Sequence, residues 1–204
     1  MTGLLLKDIY TVLKQMKFFV LVVIIMACLP GYSMLTFALV YSAMLPMTAL
    51  AYDERSGWDK LAGTMPYSTM DIVLSKYALG YIMIAGATLI SALAQGILAA
   101  VGVAKPVENV LMQIAGAVGI ALFFEAVVLP LMIRFGVEKG RVIFIAIGAA
   151  IGVLIATAYK SIDSFQLPDG LNTTTLTVGV VLVLLVLNAI SMLISVKSYE
   201  FKKG

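Results

Sequence analysis

Residues 18–52 read FFVLVVIIMACLPGYSMLTFALVYSAMLPMTALAY and contain no acidic or basic side chain. A membrane-spanning helix needs roughly 20 mostly apolar residues, so this run is too long for one comfortable span. Pro30-Gly31 lies inside the run, where the proline removes an amide donor and the glycine permits a sharp turn. The stretch therefore predicts two helices joined by a tight turn, over residues 18–29 and 32–52.

The rest of the chain has the same apolar character. Hydrophobic residues make up 62% of it and charged residues 12%, whereas about a quarter of the residues of a soluble domain are charged. Further apolar runs predict helices over residues 77–101, 107–133, 142–159 and 171–196. We expect an all-α, polytopic membrane protein with six transmembrane helices, forming a single domain over residues 1–204.

The distribution of cations indicates how these helices cross the membrane. Cytoplasmic loops are enriched in Lys and Arg. With six spans and both termini cytoplasmic, every cation except Lys105 and Lys160 faces the cytoplasm. If residues 18–52 formed one span, Lys7, Lys14 and Lys17 would move to the outer side. The six-span arrangement is therefore favoured.

Residues 1–17 mix basic and apolar side chains and lack the small-residue cleavage site of a signal peptide. Four apolar residues share one side of a helix: Leu5, Ile9, Val12 and Met16. Polar residues occupy the other positions: Lys7, Asp8, Thr11, Lys14 and Gln15. We expect an amphipathic helix along the cytoplasmic interface of the membrane. A solvated extension of the first span is the alternative.

The residue content argues against several kinds of site. The chain has no histidine, and its single cysteine, Cys28, lies in an expected span. A zinc site, a disulfide and a cysteine-histidine nucleophile are therefore not expected. There is no G-x-x-x-x-G-K-[ST] phosphate-binding loop, so ATP must be bound by another subunit. We expect no cofactor or metal on this chain, no enzymatic activity of its own and no nucleic-acid partner.

A charged stretch separates the second and third expected spans. Residues 52–77 read YDERSGWDKLAGTMPYSTMDIVLSKY. It contains two S-x-x-D strings, beginning at Ser56 and Ser68, and this pattern is typical of a capping box at the start of a helix. The stretch therefore predicts two helix starts within one loop, the second of them leading into the third span.

The first of these helices is short and has an apolar edge formed by Trp58, Leu61 and Met65, with Lys60 facing away. Pro66 ends it. A short amphipathic helix on a cytoplasmic loop is suited to a groove in a soluble partner. The alternative is an interfacial helix that Trp58 merely anchors among the lipid headgroups.

The charged and glycine-rich segment, followed by T-M-P-Y-S and a helix that closes on Lys76, resembles the loop after the second span in permease subunits of type-2 (ABC-2) ABC exporters. The likeness extends loosely over the chain, and is greatest to the small bacterial permeases of the phenol-soluble-modulin exporter type. It implies a permease that dimerises in the bacterial cytoplasmic membrane and exports amphipathic or antimicrobial-type peptides. A separate ABC ATP-binding subunit, which holds ATP and Mg, would drive it.

By the same resemblance, residues 53–76 form the coupling loop. Asp53, Glu54 and Arg55 would lie near the ATP-binding subunit, and residues 58–65 would form the coupling helix. Larger members have a long external loop with re-entrant helices, whereas residues 160–170 leave little room for one. The resemblance therefore does not extend to an external substrate gate.

Glu125 is the one carboxyl in the middle of an expected span, where a charge is costly. It is either part of a substrate route or dimer lumen, or a neutral group that hydrogen-bonds between helices. Pro130 deprives the Ala126 carbonyl of its helical donor, and Pro46 does the same for Ser42. Both prolines predict helix kinks.

Two alternative functions remain open at this point. One is the substrate-capturing subunit of an energy-coupling-factor importer, which is also a six-span chain of similar size. The other is a small proton-coupled carrier, which would depend on Glu125 alone. The G-x-x-x-G string over residues 148–152 lets two helices approach closely, either within one chain or in a dimer.

Overall fold

The computed structural model describes residues 2–15, 17–29, 31–62, 64–102, 110–162 and 173–203. These residues form nine α-helices and no strand, which confirms the all-α prediction. Some features predicted from the sequence lie outside the described residues: Met16 of the amphipathic helix, Pro30 of the tight turn, Lys105, the start of the span predicted over residues 107–133, and residues 163–170 of the last loop.

The charge-free run divides where the sequence predicts. After α1 (Thr2–Gln15), the helix α2 (Lys17–Cys28) covers its first part, and α3 (Tyr32–Ala43) begins just beyond Gly31. The φ angle of Gly31 is 124°, which side chains with a Cβ rarely adopt. Gly31 thus supplies the turn, and α2 contacts α3 across it.

The next predicted helix is interrupted once. α3 ends at Ala43 and α4 (Leu45–Ser56) follows, with Met44 between them at φ −81° and ψ −13°. Pro46 lies in the first turn of α4. Backbone amides in a first turn have no hydrogen-bond partner within the helix, so the missing amide of Pro46 costs α4 no hydrogen bond. The helix is thus interrupted at one residue, Met44, just before Pro46, and the kink at Pro46 stays a prediction.

The charged loop begins where α4 ends, at Gly57, whose φ angle is 68°. α5 (Trp58–Ala62) follows at once, and a turn over residues 64–66 leads to α6 (Thr69–Ala100). Half of the predicted capping box of α6 is present: the Ser68 hydroxyl accepts a hydrogen bond from the Asp71 amide at 3.1 Å. The Asp71 carboxylate accepts from the Ser68 hydroxyl at 2.8 Å, whereas in a capping box it would accept from the Ser68 backbone amide.

The first S-x-x-D string acts differently from the prediction. The Ser56 hydroxyl donates to the Asp53 carbonyl at 3.2 Å, so Ser56 belongs to the last turn of α4. The short helix also ends earlier than predicted, at Ala62, and Met65 lies in the following turn.

Three long helices complete the bundle: α7 (Val110–Phe135), α8 (Val137–Ile162) and α9 (Thr173–Lys203). α7 continues through Pro130. Among the described residues, four stretches are long and apolar enough to cross a membrane: Met34–Ser56, Thr69–Ala100, Met112–Phe135 and Val181–Phe201. α2 has 12 residues and is about 18 Å long, which is shorter than the hydrocarbon layer. The chain is thus a membrane protein with four candidate spans.

α7 is central, since it contacts α3, α4, α6, α8 and α9. The outward faces of the long helices are apolar and exposed, as Leu89, Leu93 and Ile97 of α6 illustrate. Soluble monomers rarely expose continuous apolar surfaces of this kind. A bilayer solvates them, which agrees with the lengths of the helices.

Candidate functional site

α1 packs one side into the protein, against α4 and α6. Leu4, Asp8 and Val12 follow one another at one-turn spacing on this side and are all buried. The opposite side of α1 exposes Leu6, Tyr10 and Leu13. Val12 is buried with Leu45, Ala49 and Leu79, and Leu5 and Ile9 pack against this cluster; the position of α1 along the membrane interface stays a prediction. Asp8 differs from the prediction, because it lies inside the protein and not on the polar side of an interfacial helix.

The reason is a buried cluster of four charges, formed by Lys7, Asp8, Asp53 and Lys76. The Lys76 ammonium lies 2.7 Å from the Asp8 carboxylate and also pairs with Asp53. Lys7 lies 2.7 Å from Asp53 and 3.0 Å from Asp8. Two cations and two carboxylates balance, which offsets part of the cost of burying Asp8, Asp53 and Lys76; the Lys7 side chain keeps 25% of its surface exposed. The cluster joins α1, α4 and α6.

The three charged residues at the end of α4 have different surroundings. Asp53 is buried in the charge cluster. Glu54 accepts the backbone amide of Val137 at 3.0 Å, so it caps the first turn of α8, where a carboxylate is favoured by the helix dipole. Arg55 is exposed. Asp53 and Glu54 thus fix the position of the loop relative to α1 and α8.

The predicted apolar edge of the short helix is divided. Trp58 faces inward, where it packs near Leu4 and Ala62, and the Lys7 ammonium lies 4.4 Å from the centre of its ring. Leu61 and Met65 face outward, with 53% and 37% of their surfaces exposed. The side chain of Lys60 lies outside the described part of the structure. Of the predicted apolar edge, Leu61 of α5 and Met65 of the following turn are therefore exposed, whereas Trp58 is turned inward.

Glu125 of α7 is fully buried at the contact with α6. Neither of its carboxyl oxygens has a hydrogen-bond partner among the described residues. Its carboxyl group occupies the place where a Cβ on Gly80 of α6 would lie. Gly80 therefore allows the close approach of α6 and α7 that encloses Glu125.

A hydroxyl network lies beside Glu125. The Tyr77 hydroxyl is 2.6 Å from that of Ser191 and 2.9 Å from that of Ser195. Ser191 also donates to the Ala126 carbonyl at 2.5 Å. Pro130 deprives this carbonyl of its usual donor. Ser191 of α9 thus supplies the hydrogen bond that Pro130 removes.

The pairing of Asp8 with Lys76 and the polar stripe on α9 were not among the expectations from the sequence. A signal for both is present. Asp8 is the only acid in the first 52 residues, and a lone acid next to apolar runs needs a cationic partner. Asn188, Ser191 and Ser195 are spaced so that they share one face of an otherwise apolar helix.

These features define a polytopic α-helical membrane protein whose charged loop is fixed against its N-terminal helix. Among the described residues, no group of His, Cys, Asp and Glu could hold a metal ion. A family model described as ABC-2 family transporter protein matches residues 3–200. The chain therefore belongs to the ABC-2 family of transporter proteins. No curated protein and no solved structure matches it.

Family membership gives the general role of the chain. It is a membrane-embedded permease subunit of an ABC transporter, a transport subunit and not an enzyme by itself. The family implies an ATP-binding partner subunit and a lipid environment.

Proposed function

We propose that the chain is the permease of an ATP-driven exporter and that residues 53–76 transmit the motion of a separate ATP-binding subunit. The observation that supports this most directly is the way in which the loop is held. The charge cluster fixes both of its ends, at Asp53 and Lys76, while Leu61 and Met65 remain exposed between them. A rigidly held apolar patch is suited to a groove on a soluble partner.

The proposed topology has six spans: α2, α3 with α4, α6, α7, α8 and α9. Both termini and the charged loop lie on the cytoplasmic side of a bacterial cell membrane, as the distribution of cations favours. α1 lies at the interface, with its exposed apolar side chains toward lipid. ATP and Mg are bound by the partner subunit.

A dimer of permeases is part of the proposal. The G-x-x-x-G string lies on α8, where a Cβ added at Gly148 would meet no atom within 4 Å. This small-residue position is therefore not used for packing within the described chain, and it is available to a second copy. The cargo that we propose is an amphipathic peptide, as in the phenol-soluble-modulin exporters that the loop resembles.

Membership of the ABC-2 family favours this function over the two alternatives. An energy-coupling-factor subunit would not be expected to present a fixed cytoplasmic loop of this kind. A proton-coupled carrier would depend on Glu125, which has no basic partner in its span.

The association is tested by purifying the tagged chain from its own cells in mild detergent. An ATP-binding subunit should be retained, and ATP hydrolysis should require it, because this chain has no phosphate-binding loop. Hydrolysis by the permease alone would contradict the proposal.

The topology is tested with single cysteines in a Cys28→Ser background, because Cys28 is exposed. Cysteines at Ser56 and Lys139 should be labelled only in permeabilised cells, and one at Asp163 in intact cells. Labelling of all three from one side would overturn the six-span arrangement.

A further inference from the structure

A cavity of about 590 Å³ opens between the end of α4 and the turn that joins α7 to α8. Its lining includes three cations, Arg55, Lys139 and Arg141, and two aromatic residues, Tyr52 and Phe135. The cavity is separate from the exposed Leu61 and Met65 and from the polar residues around Glu125.

None of the three cations forms an ion pair among the described residues, and they outnumber the two carboxylates of the lining, Glu54 and Glu138. Of the two carboxylates in the lining, that of Glu54 is used to cap α8. Lys139 and Arg141 lie in the first turns of α8, at the helix end whose dipole disfavours cations. Helix stability does not explain their position, whereas an anion in the cavity would.

The ends of two apolar stretches indicate that the cavity is at the level of the lipid headgroups. Two of the apolar stretches that could cross a membrane, Met34–Ser56 and Met112–Phe135, end beside it. Aromatic residues such as Tyr52 and Phe135 are typical of this level. Farther along α8, Val142 and Ile145 are each 67% exposed, which provides an apolar surface directly beside the cavity.

We propose that this cavity binds the phosphate headgroup of an anionic phospholipid. Arg55, Lys139 and Arg141 surround the phosphate, and an acyl chain lies along Val142 and Ile145. Basic pockets between membrane helices recognise anionic headgroups in this way. Such a lipid would fill the space between the coupling loop and α8.

The test uses the full chain, with any subunit that copurifies, in nanodiscs of equal parts phosphatidylglycerol and phosphatidylcholine. Native mass spectrometry after release from the nanodisc measures which lipid stays bound. The wild type should retain phosphatidylglycerol preferentially. Lys139→Gln/Arg141→Gln should reduce this preference by at least roughly tenfold, since each cation near an anionic headgroup contributes severalfold.

The matched control is Arg134→Gln/Lys197→Gln, which removes two exposed cations that do not line the cavity. It should keep the wild-type preference. If both double variants lose the preference for phosphatidylglycerol equally, the effect is a general one of charge and the proposal is wrong. It is also wrong if Lys139→Gln/Arg141→Gln keeps the full wild-type preference.

A second measurement separates a lipid from a soluble anion. Phosphatidylglycerol added to the protein in detergent should raise its melting temperature, whereas millimolar inorganic phosphate should not. If phosphate alone gives the same increase, the cavity is a soluble-anion site and the lipid assignment is wrong.

Discussion

The ammonium group of Lys76 lies 2.7 Å from the carboxylate of Asp8, across 68 positions of the sequence. Through the same ammonium, Asp8 is linked to Asp53 at the end of α4. The loop between α4 and α6 is therefore held at both ends by the N-terminal helix.

Removing the central cation of this cluster should destabilise the protein. Lys76→Met leaves two buried carboxylates with only Lys7 as partner, and breaking a buried pair from one side costs roughly 3 kcal/mol or more. The apparent melting temperature in detergent should fall clearly, while that of Lys14→Met, at an exposed position, should not. Equal melting temperatures for the two variants would show that the cluster contributes little.

The contact between Gly80 and Glu125 predicts a coupled pair of substitutions. Gly80→Ala places a methyl group where the Glu125 carboxyl lies, so α6 and α7 must separate and stability should fall by roughly 1–3 kcal/mol. Glu125→Ala in the same chain should restore much of the loss. Gly86→Ala is the control, because its Cβ would meet no atom within 4 Å. Additive effects of the first two changes would contradict this packing.

The hydrogen bond to the Ala126 carbonyl can be tested separately from the bonds of Tyr77. Ser191→Ala removes the hydrogen bond to the Ala126 carbonyl and one bond to Tyr77. Ser195→Ala removes only the other bond to Tyr77. Ser191→Ala should therefore be the more destabilising, by roughly 1 kcal/mol. In a Pro130→Ala background the difference should shrink, because an amide at position 130 can then donate to Ala126. A difference that persists would show that Pro130 is not its cause.

The sequence leaves two roles open for Glu125, a place on the substrate route or a neutral position between helices, and removal of its charge distinguishes them. Glu125→Gln keeps the size of the side chain but cannot carry a charge. Peptide-stimulated ATPase activity of the reconstituted complex should fall, while assembly with the ATP-binding subunit is retained. Glu200→Gln, at an exposed carboxyl on α9 that does not line the cavity, is the control. Unchanged stimulation in both Glu125→Gln and Glu125→Ala would remove Glu125 from the pathway.

Local patterns predict much of this fold. The break at Gly31 follows from proline and glycine chemistry, and the start of α6 at Ser68 follows from its capping box. Both depend on neighbours a few residues apart, and such neighbours are visible in a sequence. Near Pro46 the sequence predicts a bend within one helix, and the structure has a break between two helices. The break is possible because a proline is tolerated in the first turn of a new helix.

Contacts between distant parts of the chain are harder to predict. The spacing of apolar residues assigns Asp8 to the polar side of α1. This spacing carries no information about Lys76, the buried partner of Asp8 that lies 68 positions away. Trp58 and Leu61 belong to the same predicted apolar edge, but only Trp58 packs against the rest of the protein. In a helix as short as α5, contacts with neighbouring helices determine which side chain is buried. Nothing in the sequence of α9 distinguishes the role of Ser191. That role depends on the contact of α9 with α7, where Pro130 leaves the Ala126 carbonyl without its helical donor.

The central claim is that the loop between α4 and α6 couples this permease to its ATP-binding subunit. Leu61→Asp tests it most directly, because Leu61 is exposed and its replacement should leave the fold intact. Phe201→Asp, at a position 92% exposed on α9, is the control. We predict that Leu61→Asp weakens retention of the ATP-binding subunit at least roughly a hundredfold, since it would bury an unpaired charge in the partner groove, while Phe201→Asp does not. Normal retention and normal ATPase stimulation by Leu61→Asp would contradict the claim.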